Sequence, residues 1–277
     1  MPGEEPCPPP SVYNQNFVQS TRISALLRPF LDRELAPTQL DQISTYLDLL
    51  LRWNQRVNLT AIREPEEIVT RHIGESLFAA RHLFPSSPRH SDARDQRVEE
   101  EPAVSSQGAQ SSFKSPRPLA SQAFADDRRP PSDGFGVDSA LPLVDIGSGA
   151  GFPGLPIKIW SPPTPVTLVE SRHKKVAFLR EVIRALILTD VDVYAGRAED
   201  FPEGAASIVT LRAVERFEQV LPVAAARLAR SGTIALLIGE PQIQVAARLL
   251  PHVRWQAPFQ IPQSSSRSFL LGRNTIS

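Results

Sequence analysis

Apolar residues between positions 16 and 84 recur at helical spacing. Ile23, Leu26, Leu27, Phe30 and Leu31 make one stripe, which Pro37 interrupts. Leu40, Ile43, Tyr46, Leu47, Leu50 and Leu51 make a second, with Thr38 read as its N-cap. Asn58-Leu59-Thr60 reads as a loop. Pro65 then opens a third helix, with Ile68, Val69, Ile73, Leu77 and Phe78 on one side. After residue 140 the period changes and elements alternate. Residues 141–146 are a short apolar run ending in glycines, hence a buried strand. Residues 152–160 form a short helix, and Val166–Val169 a second strand closed by Glu170. Residues 174–188 are amphipathic, with Val176, Phe178, Leu179, Val182, Ile183 and Leu186 on the apolar side. Strands follow at Val191–Tyr194 and 207–211, then a helix over 217–228. A Ser-Gly turn leads into a strand at 233–238. A polar helix over 242–250 precedes two late strands, near 253–259 and 267–271. Strands alternating with helices predict an α/β fold: a doubly wound, mostly parallel sheet.

Residues 85–140 keep neither period. That stretch holds 7 Pro, 11 Ser and 3 Gly in 56 residues, too long for a structureless loop inside a compact domain. It reads as a flexible insertion, and the Pro-rich, acidic residues 1–15 as a disordered lead-in. The expected organisation is a lead-in (1–15), a helical cap (16–84), the insertion (85–140) and a sheet domain (141–277).

Charge refines this picture. The chain balances 30 Lys+Arg against 30 Asp+Glu, which argues against a basic nucleic-acid-binding tail. By segment the balance differs: 8 basic and 10 acidic in 1–84, 7 and 9 in 85–140, 15 and 11 in 141–277. Only Lys114, Lys158, Lys174 and Lys175 are lysines, and arginine suits bidentate contact with phosphate and base. Cys7 alone cannot make a disulfide framework. No apolar run approaches the roughly 20 residues of a membrane span, and the first residues lack the pattern of a secretory signal. His72, His82, His90, His173 and His252 show no metal-ligand spacing. A cytoplasmic, soluble, monomeric protein without metal is expected.

The sharpest chemistry lies in Leu143-Val-Asp-Ile-Gly-Ser-Gly-Ala-Gly-Phe-Pro-Gly154, a glycine loop between strand and helix. Ligands of such sheets bind outside the carboxyl ends of the strands, where this loop lies. Two cofactors compete. Gly149-x-Gly151-x-x-Gly154 fits a dinucleotide, with Glu170 21 residues after Gly149 near the ribose-binding position. Asp145, two residues before Gly147, would repel a pyrophosphate and suit a cationic ligand. S-adenosylmethionine is such a ligand, bearing an ammonium and a sulfonium and no phosphate. Pro153 and Pro156 disturb the helix start a pyrophosphate would need. Glu170 ends the second strand, where it can accept ribose hydroxyls. Ala198-Glu199-Asp200 follows the third strand and could line an adenine pocket. Arg212 ends the fourth, facing cofactor and substrate, unless it pairs with Glu170 or Glu199.

Residues 145–154 with Pro156, then Glu170-Ser-Arg-His-Lys-Lys-Val-Ala-Phe-Leu-Arg180, Gly196-Arg-Ala-Glu-Asp200 and Leu211-Arg-Ala213, resemble the glucose-inhibited-division-B family. That family comprises bacterial 16S ribosomal RNA guanine-N7 methyltransferases. Trp53-Asn-Gln-Arg-Val-Asn-Leu-Thr60 and Arg71-His-Ile-Gly-Glu-Ser76 resemble its helical signatures. The resemblance covers about 20–84 and 141–271. It implies a Rossmann-like class I S-adenosylmethionine-dependent methyltransferase acting on 16S ribosomal RNA or the small ribosomal subunit, at guanine 527. It carries cofactor contacts onto Gly147, Phe152, Ala198, Glu199 and Arg212, with Glu170 at the ribose; Asp145, Gly149 and Gly151 complete the expected cofactor set. Three departures stand out. Glu75 replaces the usual Asp. Ile238-Gly239 stands for the usual Lys-Gly, which would remove a cation from the substrate side. The 85–140 insertion is not a family feature.

Guanine N7 has a free lone pair, so no general base is required and catalysis rests on proximity and orientation. Glu75 could stabilise the cation formed on the ring, while Arg212 and His72 are orienting candidates. In A-form RNA N7 is hidden, so the target sits in a loop or is flipped out. Arg71, Arg172, Lys174, Lys175, Arg197 and Arg216 are candidate phosphate contacts. The rival readings are an NAD-type dehydrogenase and a ribosome-binding protein that kept the fold without turnover.

Overall fold

Residues 20–85, 142–212 and 216–275 are described by the computed structural model. The expected lead-in, the insertion from residue 86 onward, and Ala213 of the Leu-Arg-Ala motif lie outside the described residues. The N-terminal stripes become helices. α1 (Ser20–Leu27) runs into a 3₁₀ turn (Arg28–Phe30), and α2 spans Pro37–Asn54. Pro37 opens α2 at its first position, where a missing N–H costs nothing. Its N-cap is therefore Ala36 and not Thr38, and the Gln39 side chain accepts the Ala36 N–H at 3.0 Å. The third stripe is one helix in three parts: α3 (Pro65–Ile68), a π-helical segment (Val69–Gly74) and α4 (Glu75–Leu83).

The C-terminal part alternates as expected: β1 (Leu143–Ile146), α5 (Gly154–Trp160), β2 (Val166–Val169), α6 (His173–Ala185), β3 (Val191–Tyr194) and β4 (Ala206–Arg212). Then come α7 (Phe217–Ala226), β5 (Leu228–Gly239), α8 (Glu240–Leu249), β6 (Val253–Trp255), β7 (Phe259–Gln260) and β8 (Arg267–Asn274). The sheet order is β3-β2-β1-β4-β5-β8-β6, with β7 also paired to β8. The first five are parallel, while β8 runs antiparallel to β5 and β6. The Ser-Gly expected as a turn lies inside β5. There the register with β4 jumps between Ala206 and Ile208, and Ser231 takes a φ of 58°. It is a bulge, which lets β5 continue through the irregularity.

Each sheet face has its own core. One packs Leu143, Ile208, Ala235, Leu237 and Phe269 with α5, α6 and the N-terminal helices, through Ile23, Tyr46, Leu50, Ile73 and Leu77. The other packs Val144, Ile146, Leu236 and Ile238 against α7 and α8. The helices expected as a cap thus share a core with the sheet.

Candidate active site

The loop after β1 is held by its own side chains and by two helices. Asp145 is fully buried. Its Oδ1 accepts the Thr210 hydroxyl at 2.8 Å and its Oδ2 the Gly154 N–H at 3.2 Å. Burial pushes this carboxyl up to about 6, against the pull of those hydrogen bonds. Asp145 was expected to face a cationic ligand; instead it fastens the loop from below, fully buried and not among the residues that line the cavity beside Glu170. Gly151 shows why the loop needs glycine. Its φ is +94°, and a Cβ there would meet Leu155 Cδ1 at 2.4 Å and the Tyr46 hydroxyl oxygen at 2.9 Å. That hydroxyl, from α2, donates to the Ala150 carbonyl.

Glu170 closes the loop from the next strand. Its Oε2 accepts the Gly149 N–H at 3.0 Å and its Oε1 the Arg172 N–H at 2.8 Å. Beside it lies a cavity of about 370 Å³, within the usual range for small-molecule sites. Gly147, Glu170, Ala198 and Glu199 line it, and Arg172, Lys175 and Arg197 reach its rim. Ala198 and Glu199 reach it from a 3₁₀ turn (Ala198–Asp200). The buried Arg227 supports that turn, donating to the carbonyls of Ala198 (3.3 Å), Glu199 (3.2 Å) and Phe201.

Across Phe152 lies a second cluster. His72 stacks on the Phe152 ring at 4.8 Å, and the Arg212 guanidinium carbon stands 6.0 Å from that ring. Arg212 donates to the Arg71 carbonyl at 2.7 Å and to Glu75 Oε2 at 3.2 Å. Its partner is therefore Glu75, not Glu170 or Glu199. Glu75 is 2% exposed, and its other oxygen pairs with Arg267 of β8. Burial raises the Glu75 carboxyl, with Arg212 and Arg267 opposing. Burial, reinforced by Arg212, Arg71 and Arg267, pushes His72 down to about 2, so its imidazole is neutral. Its Nε2 lies 2.7 Å from the Thr60 hydroxyl.

The structure therefore gathers Gly147, Glu170, Ala198 and Glu199 around one cavity, and His72, Glu75, Phe152 and Arg212 beyond it. Arg71 belongs to the second group; its side chain pairs with Glu67 at 2.9 Å. Lys174 and Arg216 are exposed and line neither. Ile238 is buried in the opposite apolar core, so a lysine there would not face this cluster. Arg227 and Arg267 were missed: nothing in their local sequence separates them from ordinary surface arginines.

The family model for rRNA small subunit methyltransferase G matches residues 39–92 and 135–248. The chain belongs to this family. The Ribosomal RNA small subunit methyltransferase G of Xylella fastidiosa (strain 9a5c) is 31% identical over 229 residues, 82% of each chain. Its namesake from Chloroflexus aggregans is 32% identical over 249 residues, 86% of this chain and 82% of the relative. The matched segments contain both clusters except Arg267. The donor set fits the S-adenosylmethionine of a methyltransferase G. Glu170 offers a carboxylate acceptor suited to hydroxyls, Gly147, Gly196 and Ala198 give the wall small residues, and the cavity is of small-molecule size. Among the described residues no helix is long and apolar enough to cross a membrane.

Proposed function

We propose that this protein transfers the methyl group of S-adenosyl-L-methionine to N7 of a guanine in 16S ribosomal RNA, at the 527 position implied by the family resemblance. The observation that carries this reading is the Gly149–Glu170 contact. A dinucleotide loop offers free amides to pyrophosphate. Here the Gly149 amide is already given to a carboxylate, and that carboxylate edges the cavity, where it repels phosphate and accepts hydroxyls. The cofactor supplies a methyl group on a positively charged sulfur.

The chain does the rest by placement. Glu170 takes the ribose, Ala198 and Glu199 border the adenine, and Gly147, Gly149 and Gly151 let the backbone come close. Asp145 holds the loop. Phe152 separates the cofactor cavity from the base site, and Arg212, locked by Glu75, orients the groups meeting there. His72 stays neutral and supports Phe152; N7 loses no proton, so no base is required of it. Arg172, Lys174, Lys175, Arg197, Arg216 and Arg71 contact the RNA backbone. The protein works as a monomer in the cytoplasm, where its RNA is assembled.

The test is transfer of label from tritiated S-adenosylmethionine to 16S RNA, free and in small subunits, with the labelled base mapped. Label at guanine N7 is expected. Cofactor binding without transfer would favour the ribosome-binding alternative. Binding of NAD in place of S-adenosylmethionine would overturn the reading.

A further inference from the structure

Three arginines from three separate elements meet around one buried carboxylate. Arg71 comes from the π-helical segment, Arg212 from the end of β4 and Arg267 from the start of β8. The β5–β8 register sets Arg267 opposite Gly239, so β8 delivers it to the carboxyl edge of the parallel strands. Glu75 is saturated, one oxygen to each of Arg212 and Arg267. Among the described residues Arg71 is not bonded to Glu75; it pairs with Glu67, a solvent-facing partner one helical turn away. Such exposed pairs are weak and exchange readily.

The guanidinium groups are graded in exposure. The Arg71 side chain is 47% exposed, that of Arg267 25% and that of Arg212 9%. The most buried of them, Arg212, has its guanidinium carbon 6.0 Å from the Phe152 ring. The cations lie close enough to disfavour one another's charge: Arg71 lowers both Arg212 and Arg267, and Arg212 lowers Arg267. At the inner end the Arg212 Nε–H is buried without a partner, as is His72 Nδ1. A buried donor left unmet is costly. An oxyanion with several acceptor oxygens is the ligand that arginine forks serve best. The cavity beside Glu170 is lined by neither Arg71 nor Arg267. The anion is thus distinct from the cofactor's adenosine end.

We propose that Arg267 and Arg71, braced by Glu75 and Arg212, form a seat for a phosphate of the target RNA strand. This rests on the reading of the protein as an RNA methyltransferase. The seat holds the backbone beside the extruded guanine, and Glu75 keeps the two inner arginines aligned before RNA arrives. Arg267 is here an RNA-binding residue that the motif pattern does not reveal.

The test compares wild type with Arg267→Gln, Arg267→Lys and Arg71→Gln. Methyl transfer to 16S RNA and small subunits is measured against RNA concentration at several salt concentrations, and S-adenosylmethionine affinity is measured separately. Arg267→Gln is expected to raise the RNA KM about ten- to hundredfold, the loss of one charged hydrogen-bonding contact. The salt slope of log affinity should shrink by about 0.7 to 0.9 for the lost phosphate contact. Cofactor affinity should stay within about twofold. Arg267→Lys should keep the slope and lose part of the KM effect. Arg71→Gln, exposed enough to leave folding intact, should also reduce the slope. An unchanged RNA KM and slope in folded Arg267→Gln overturns the seat, as does a loss confined to cofactor affinity, which would assign the anion to the cofactor carboxylate. If Arg267→Gln does not fold, an unchanged slope in Arg71→Gln decides against it. Wild type that transfers no label overturns the underlying reading instead.

Discussion

Asp145 shows how a single buried charge shapes both loop and stability. Its carboxyl is lifted from 3.8 to about 6 by burial. Below the unfolded value both states hold the proton, and ionisation costs folding nothing. Between roughly 4 and 6 the unfolded chain gives up its proton first, so stability falls as pH rises; above that the loss is constant. At 1.36 kcal/mol per unit it amounts to about 2–3 kcal/mol. Asp145→Asn removes the charge while its amide can keep both contacts, the Thr210 hydroxyl turning to accept. Urea melts from pH 4 to 8 should show the variant more stable at pH 7 by about 2 kcal/mol and flatter with pH. A variant less stable at pH 7 would mean that the hydrogen bonds to the ionised form outweigh desolvation. Glu170 is spent differently, half on the loop and half on the Arg172 amide. Glu170→Ala should weaken S-adenosylmethionine about tenfold or more by calorimetry, since a charged acceptor is worth roughly 1.5–3 kcal/mol.

Among elements, the helix over residues 65–83 governs the site. Its π-helical segment ends at Gly74, so His72 lies inside the wide turn and Glu75 just after it. π segments of this kind occur often at functional sites. Gly74 sits against the buried Phe30 ring: a Cβ there would lie 2.7 Å from Phe30 Cδ2. Gly74→Ala should cost about 1–3 kcal/mol by denaturant melt, as overpacking does. Methylation should fall further than stability predicts, because the same shift moves His72 and Glu75. This helix marks the boundary of what the chain reveals by itself. The apolar stripe from Ile68 to Phe78 announced a helix, but a stripe cannot record one wide turn. Val166–Val169 and Val191–Tyr194 were legible to the residue because short apolar runs between turns have few alternatives. That Gly147, Glu170, Ala198 and Glu199 gather at one place was legible because each follows a strand in sequence. The Glu75–Arg267 pair was not, since it joins residues from opposite ends of the chain whose meeting only the antiparallel β8 creates.

At the scale of the molecule, the N-terminal helices and the sheet share one core. Ile23, Tyr46, Leu50, Ile73 and Leu77 lie in the same core cluster as Leu143, Ile208, Leu237 and Phe269. Polar ties cross the same boundary. Gln39 donates to the Ile159 carbonyl at 2.6 Å, Tyr46 to that of Ala150, and Gln42 to that of Leu186 at 3.1 Å. A sheet built to carry helices on both faces, stripped of one layer, would present a large apolar patch to water. A chain starting at residue 141 should therefore be insoluble or bind a hydrophobic dye strongly. The full chain should melt in a single transition, with helix content and the fluorescence of Trp53 and Trp160 lost together, as a two-state unit does. Two separated transitions would mean that the helices fold as an independent cap. The consequence reaches the site, because His72 and Glu75 stand on the N-terminal layer while Phe152, Arg212 and Arg267 stand on the sheet. Loss of methylation on heating should then coincide with the single melt rather than precede it.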